Sequence, residues 1–230
     1  MNKKVLHTLY RRVAYYGGDR RSKASVNGLQ ELYKNLAQAE MILSVGGGPN
    51  RISRGININI ALLPEVDLVG DAHRLPLKPN AFGGIFCEAV IEHLESPSVA
   101  VNEMLRVLRE GGMVYSVTPF LQAFHAHPNH FCNFTLTGHV LLFKRAGFEI
   151  IQHGCCVGPV YALCDLIRYV LRTFVRPVWL SDCIGYAWWL LSWPLRFLDT
   201  VLANSPRADS FCSTTFVLAR KPCTSTRLVT

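Results

Sequence analysis

Short apolar runs alternate with amphipathic stretches along most of this chain, and their spacing predicts strands and helices in turn. Met41–Val45 is apolar apart from Ser44 and runs into Gly46-Gly47-Gly48-Pro49-Asn50, which predicts a buried strand ending in a glycine turn. In Ile52–Ile60 the isoleucines of I-N-I-N-I recur with period two, the pattern of a strand with one better-buried face. Further strands are expected at Val66–Val69, Ala81–Cys87, Met113–Thr118, Phe148–Gln152 and Phe211–Ala219. Helical spacing is weak over Val26–Ala39, through Leu29, Leu32 and Leu36, and strong over Val99–Leu108. There Val101, Leu105 and Leu108 share one side, Glu103, Arg106 and Arg109 the other, and Gly111-Gly112 supplies the stop. Thr137–Ala146 is a third helix, closed by Gly147, and Lys3–Tyr16 can form a short one. Strands alternating with helices imply an α/β layered fold with a mainly parallel sheet.

Residues 158–208 break this rhythm with two very apolar helical stretches joined near Pro177. Asp165, Arg168, Arg172 and Arg176 form one narrow polar stripe at helical spacing, and Ser192, Arg196 and Asp199 form another. Trp188, Trp189 and Trp193 crowd the rest of the surface. The longest uncharged run, Cys183–Leu195, has 13 residues, short of the roughly 20 that cross a bilayer. Three readings stand open: a helical lid over the sheet, a surface that dips into a membrane through 160–203 with tryptophans at the interface, or a true span.

A chain of 230 residues with 50% hydrophobic content can bury a full core. The division expected is a basic arm at 1–24, a core of 25–157 and 209–221, and the apolar insertion 158–208. The formal charge of +8 is concentrated in the arm, where seven basic residues face only Asp19. Such an arm is solvated or meets anionic lipid, and nothing resembling a zinc finger or an aromatic-lined basic groove argues for nucleic acid. The eight cysteines include no C-x-x-C pair, so they read as reduced thiols in a cytoplasmic type of compartment. The amino terminus has no continuous apolar run of the secretory type.

The glycine turn brings in the chemistry. Glycine lets a ligand lie against main-chain N–H groups at the carboxyl end of a parallel strand. A dinucleotide fingerprint would need a third glycine where Arg51 stands, and a phosphate loop would need Gly-Lys-Ser/Thr, which is missing. Three motifs follow the turn in order: G-D-A-H-R-L-P-L at 70–77, C-E-A-V-I-E-H-L at 87–94 and E-M-L-R-V-L-R-E-G-G at 103–112. K-R-A-G-F-E-I-I at 144–151 and the final S-T-T-F-V-L-A-R-K complete the series. Taken together they resemble the class I S-adenosylmethionine-dependent methyltransferases, in particular the type 11 methyltransferase domains.

The resemblance implies a Rossmann-like, three-layer fold whose seven-stranded sheet has an antiparallel last strand, with the helical insertion before it. It implies S-adenosylmethionine as cofactor, with Gly46, Gly47 and Gly48 against its methionine part and Asn59 at the ribose hydroxyls. Asp71 and Ala72 would face the adenine, and Glu88 would line the methionyl end. Glu92 and His93 match the family's E-H pair, where His93 can also serve as a packed helix-start residue. Ser44, Asn50 and Gly83 stand where the family has an acid, a glycine and an acid, and Asn59 is neutral where an acid is usual.

The loop 118–135 holds His125, His127, His130 and Cys132. Its density of imidazoles suits zinc. The resemblance instead places this loop at the acceptor pocket, so no metal is assigned. His125, then His127 and His130, are the candidate bases for an acceptor hydroxyl. The function expected is direct in-line methyl transfer to a small or lipid-linked acceptor. The rival is a methyltransferase-fold binding protein without turnover. Oligomeric state is not legible in the sequence.

Overall fold

The computed structural model describes residues 20–47, 54–126 and 129–223. Gly48, Asn50, His127, the start of the strand expected at Ile52 and the arm helix Lys3–Tyr16 lie outside them.

Seven strands form one sheet: β1 (Ile42–Val45), β2 (Gly55–Asn59), β3 (Leu68–Val69), β4 (Phe82–Glu88), β5 (Leu108–Pro119), β6 (Glu149–Val157) and β7 (Thr214–Arg220). Their order is β3-β2-β1-β4-β5-β7-β6. β7 runs antiparallel to both neighbours, and the other pairings are parallel. Strand alternation sends consecutive residues to opposite faces. Ile42, Met113, Tyr115, Phe216 and Leu218 face α1 (Lys23–Lys34), which contributes Leu32. Leu43, Val45, Ile85, Val114 and Val217 face α2 (Pro97–Val107) and α3 (Leu136–Arg145), which contribute Val101, Met104, Val107 and Phe143.

α1 starts earlier than its apolar spacing suggests because Ser22 caps it, accepting from Ser25 N at 3.1 Å. Ser22 N in turn donates to Cys156 O at 2.8 Å, so the end of the basic arm is stitched to β6. Gly111-Gly112 does not stop α2. The helix ends at Val107, and the buried Leu108 pairs at once with Phe82. The two glycines lie at a bulge, where the register moves from Phe82↔Leu108 to Gly84↔Met113. A Cβ on Gly112 would sit 2.9 Å from Arg109 O and 3.0 Å from Gly83 O. β6 extends five residues past the expected end at Gln152, because pairing with β7 carries it to Val157. β7 begins later than expected, since Ala208–Phe211 turns as a 3-10 helix.

Only the residues from Gly46 to Arg54 link the parallel strands β1 and β2, fewer than the dozen or more that a crossover with a helix takes. The insertion folds as α4 (Pro159–Thr173) and α5 (Val178–Ser192) with a turn at Pro177, followed by a 3-10 segment Pro194–Leu198 and α6 (Asp199–Leu202).

Candidate active site

Where the sheet order reverses between β1 and β4, the chain leaves both strands in unusual backbone. Gly46 has φ +68° and Ala89 φ +54°. Such a switch point is where open α/β sheets bind ligands, and positive φ at a non-glycine residue marks a constrained position. A cavity of about 370 Å³ opens there, within the range of small-molecule sites. Gly46, Asn59, Asp71, Ala72 and Val90 form one part of its wall, and His93, Asn129 and Phe131 another.

The glycines let neighbouring side chains pack directly on the turn. A Cβ on Gly46 would meet Val90 Cγ2 at 2.2 Å. At Gly47 it would meet Asn57 Oδ1 and Ser44 Oγ at 2.4 Å each. Asn59 Oδ1 accepts from Ala61 N at 3.1 Å, so the amide nitrogen is the donor it can offer a ribose hydroxyl. Asp71 Oδ1 accepts from His73 N at 2.9 Å and lies 2.7 Å from His73 Nδ1. The backbone N–H of His73 holds the Asp71 carboxyl below its usual pKa, so it carries charge at neutral pH. His73 Nε2 accepts from Ser96 N at 3.3 Å, which fixes the ring that orients Asp71. His73 was present in the G-D-A-H string, but nothing in its spacing marked it as the partner that aims the carboxylate.

Glu88 is placed differently. It stands at the end of β4, yet its carboxylate meets the Arg21 guanidinium. It borders a second hollow with Tyr33 and Phe86 on the α1 side of the sheet. Sequence spacing gave Glu88 its place after the strand, but a register position does not say which face the side chain takes.

The histidine loop comes together at the other end of the cavity. His93 closes the 3-10 turn Ile91–His93 and lines the cavity, and its Nδ1 meets Asn129 O. The His125 ring packs edge-on at 5.3 Å from that of His93, and the His130 ring lies 4.3 Å from that of His125. His130 is fully engaged: Nδ1 accepts from His125 N at 3.2 Å, and Nε2 pairs with Asn133 Oδ1 at 2.7 Å. His125 donates Nδ1–H to Ala123 O at 2.9 Å, which leaves its lone pair on Nε2.

Behind His93 sits Glu92, fully buried. Its Oε2 accepts from Thr118 Oγ1 at 3.2 Å, while Oε1 has no hydrogen-bond partner and lies 3.7 Å from His93 Nε2. Burial pushes its pKa up to about 7. A buried carboxyl that titrates near neutrality beside an imidazole is an arrangement suited to proton transfer. Ligand atoms of Glu92, His93 and His125 lie within 4.8 Å of one another, a spacing that a divalent cation can draw together. The E-H pair was visible in the sequence; its coupling to the loop was not, because it depends on how residues 118–135 fold back.

An Asp71→Ala variant is expected to weaken adenosyl-ligand binding on the order of tenfold, the loss of a charge-assisted hydrogen bond. A calorimetric titration checks this, and unchanged affinity would remove Asp71 from the site.

Residues 53–116 match the family model for the methyltransferase domain. No curated protein gives a significant match. Among solved structures, the 4+2 cyclase SpnF aligns at TM-score 0.53 with 18% identity, covering 94% of this chain and 96% of its own. A SAM-dependent methyltransferase from Thermotoga maritima aligns at 0.53 with 15% identity, covering 95% and 96%. Phosphoethanolamine N-methyltransferase 2 of Haemonchus contortus, in complex with phosphomonomethylethanolamine and S-adenosylhomocysteine, aligns at 0.56 with 15% identity. That alignment covers 86% of this chain, which spans about half (53%) of the nematode protein. These likenesses establish the fold, and the cyclase shows that one fold carries different chemistries. Strand order and matched segment together support a class I S-adenosylmethionine-dependent methyltransferase.

Proposed function

We propose that the protein methylates a small apolar or lipid-linked acceptor bearing an ionisable nucleophile such as a hydroxyl. The observation that carries this reading is the single cavity that runs from Gly46 and Asp71 to His93 and Phe131. Gly46 offers backbone to the cofactor's methionine part, Asn59 its ribose and Asp71 with Ala72 its adenine. Bound there, S-adenosylmethionine supplies an electrophilic methyl group on sulfur.

The chain's own residues then handle orientation and the proton. His93 at the cavity wall takes the acceptor's proton on Nε2, since Nδ1 is held by Asn129 O. Glu92, behind it, stabilises the imidazolium that results. His125 packs against His93 and fixes its ring. Phe131, half exposed at the wall, gives an apolar acceptor something to lie against.

The test uses S-adenosylmethionine labelled in the methyl group, mixed with enzyme and a total lipid extract. Label is expected in the organic phase, and His93→Ala is expected to reduce its rate on the order of 100-fold. Label confined to a water-soluble product would overturn the apolar acceptor. No transfer despite cofactor binding would favour the non-catalytic alternative. Loss of transfer on adding a chelator would assign the Glu92–His93–His125 cluster to a metal.

A further inference from the structure

Apart from the exposed Arg176, the polar stripes of the insertion find partners within it, while many of its large apolar residues turn outward. Arg168 pairs with Asp165 at 2.6 Å within α4, and Arg172 of α4 reaches Asp182 of α5 at 2.5 Å. Arg196 is 3% exposed and stacks over Tyr161 at 4.9 Å. The buried Asp199 carboxylate accepts from Val160 N at 3.0 Å and Tyr161 N at 2.8 Å, capping α4. The buried residues of α5 are Ser181, Gly185 and Ser192. Outside, Phe174 is 81% exposed, Val178 74%, Trp179 69%, Leu190 66% and Leu191 72%. A helix seated on a protein core shows the reverse order.

We infer that the α4–α5 hairpin and the turn after it seat the protein in one leaflet of a bilayer containing anionic lipid. Three observations favour lipid over a protein partner. At 100° per residue, Val178, Trp179, Leu180, Tyr186, Leu190 and Leu191 spread over more than half of the circumference of α5. A partner protein covers a stripe, whereas acyl chains surround. Trp179 and Trp193 are exposed, and tryptophan is the residue of membrane–water boundaries. The basic arm joins the structure at the border of the same patch. The Arg20 guanidinium lies 4.3 Å above the Phe197 ring, and Lys23 N donates to Asn204 Oδ1 at 2.7 Å. Residues 1–19 add Lys3, Lys4, Arg11 and Arg12. An apolar face bordered by cations matches an anionic membrane surface.

Insertion stops short of spanning. Each helix has 15 residues, about 22 Å of rise against a hydrocarbon core of about 30 Å. No helix among the described residues is long and apolar enough to cross. Arg168 and Arg172 close their ion pairs within the hairpin, and the exposed Arg176 beside the turn has a stem long enough to keep its guanidinium at the headgroup level. This inference does not depend on what the cavity methylates.

The experiment is vesicle flotation of the full chain with phosphatidylcholine alone and with added phosphatidylglycerol. The protein is expected to float with both and more strongly with phosphatidylglycerol, the excess falling as salt rises. A Trp179→Ser, Leu190→Ser, Leu191→Ser variant is expected to partition at least about tenfold more weakly with an unchanged far-ultraviolet circular dichroism spectrum. Replacing Lys3, Lys4, Arg11 and Arg12 by serine is expected to remove only the phosphatidylglycerol excess. The inference is overturned if wild type stays unbound to both vesicle types, or if the triple variant floats as well as wild type. It is overturned equally if wild type forms a dimer that the triple variant dissolves without any lipid binding, since a second copy then covers the patch.

Discussion

Gly46→Ala is expected to weaken binding of S-adenosylmethionine and S-adenosylhomocysteine on the order of 100-fold, the largest single effect on cofactor affinity. Two costs add. At φ +68° an L side chain is disfavoured by about 1–2 kcal/mol. The new Cβ would also meet Val90 Cγ2 at 2.2 Å and Cγ1 at 3.3 Å. Branching at Cβ restricts the valine side chain's rotation, and Val90 Cβ itself would lie 3.4 Å away, so relief requires the 89–93 segment to move. Val90 and His93 line the same cavity as Gly46, so that movement distorts the site itself. A Gly46→Ala, Val90→Ala double variant removes the contact and leaves the backbone cost, so part of the affinity should return. Titration of both variants with S-adenosylhomocysteine measures this; equal affinity in wild type and Gly46→Ala would show that the turn does not hold the ligand.

Glu92→Gln should lower the methyl-transfer rate on the order of 100-fold while leaving cofactor affinity intact, because the carboxyl acts through His93 and does not line the cavity. It should also change how stability depends on pH. Burial raises the Glu92 pKa from 4.5 to about 7. Stability from the neutral carboxyl is therefore fully present below 4.5 and is lost as pH rises through 7, up to roughly 3 kcal/mol. His139 opposes this. Its pKa is lowered from 6.5 to about 3 by burial between Ser116 and Thr215, so it costs stability as pH falls through 6.5 toward 3. Wild type alone mixes the two slopes. The difference between wild type and Glu92→Gln isolates Glu92, and it should favour the variant increasingly from pH 4.5 to 7 and then level off. A difference that stays flat across that window in urea denaturation would mean that the carboxyl carries no burial cost.

Most strands were legible because each is a short apolar run with a clear stop, as at Met41–Val45 before its glycines. Ends were less so. Gly111-Gly112 looks like a helix stop, yet local composition cannot show that Leu108 pairs with Phe82 and turns the glycines into a bulge. The glycine turn, Asn59, Asp71 and Ala72 were found by motif order, and the fold gathers Gly46, Asn59, Asp71 and Ala72 at one cavity, with Gly47 outside its lining. The histidine cluster was found as a loop rich in imidazole, but its working geometry depends on Glu92 and His93, some thirty residues earlier in the chain. The insertion shows the limit most clearly. Its polar stripes are plain in the sequence, and only tertiary packing reveals that Arg172, Arg196 and Asp199 find their partners on other elements of the insertion.

The central claim is that the cavity at the β1–β4 switch point holds the adenosyl cofactor. Isothermal titration of the wild-type chain with S-adenosylhomocysteine tests it most directly. The account predicts one site per chain with affinity on the order of micromolar, weakened by both Gly46→Ala and Asp71→Ala. An absence of binding heat across a range of temperatures, together with no thermal stabilisation by the ligand, would contradict it.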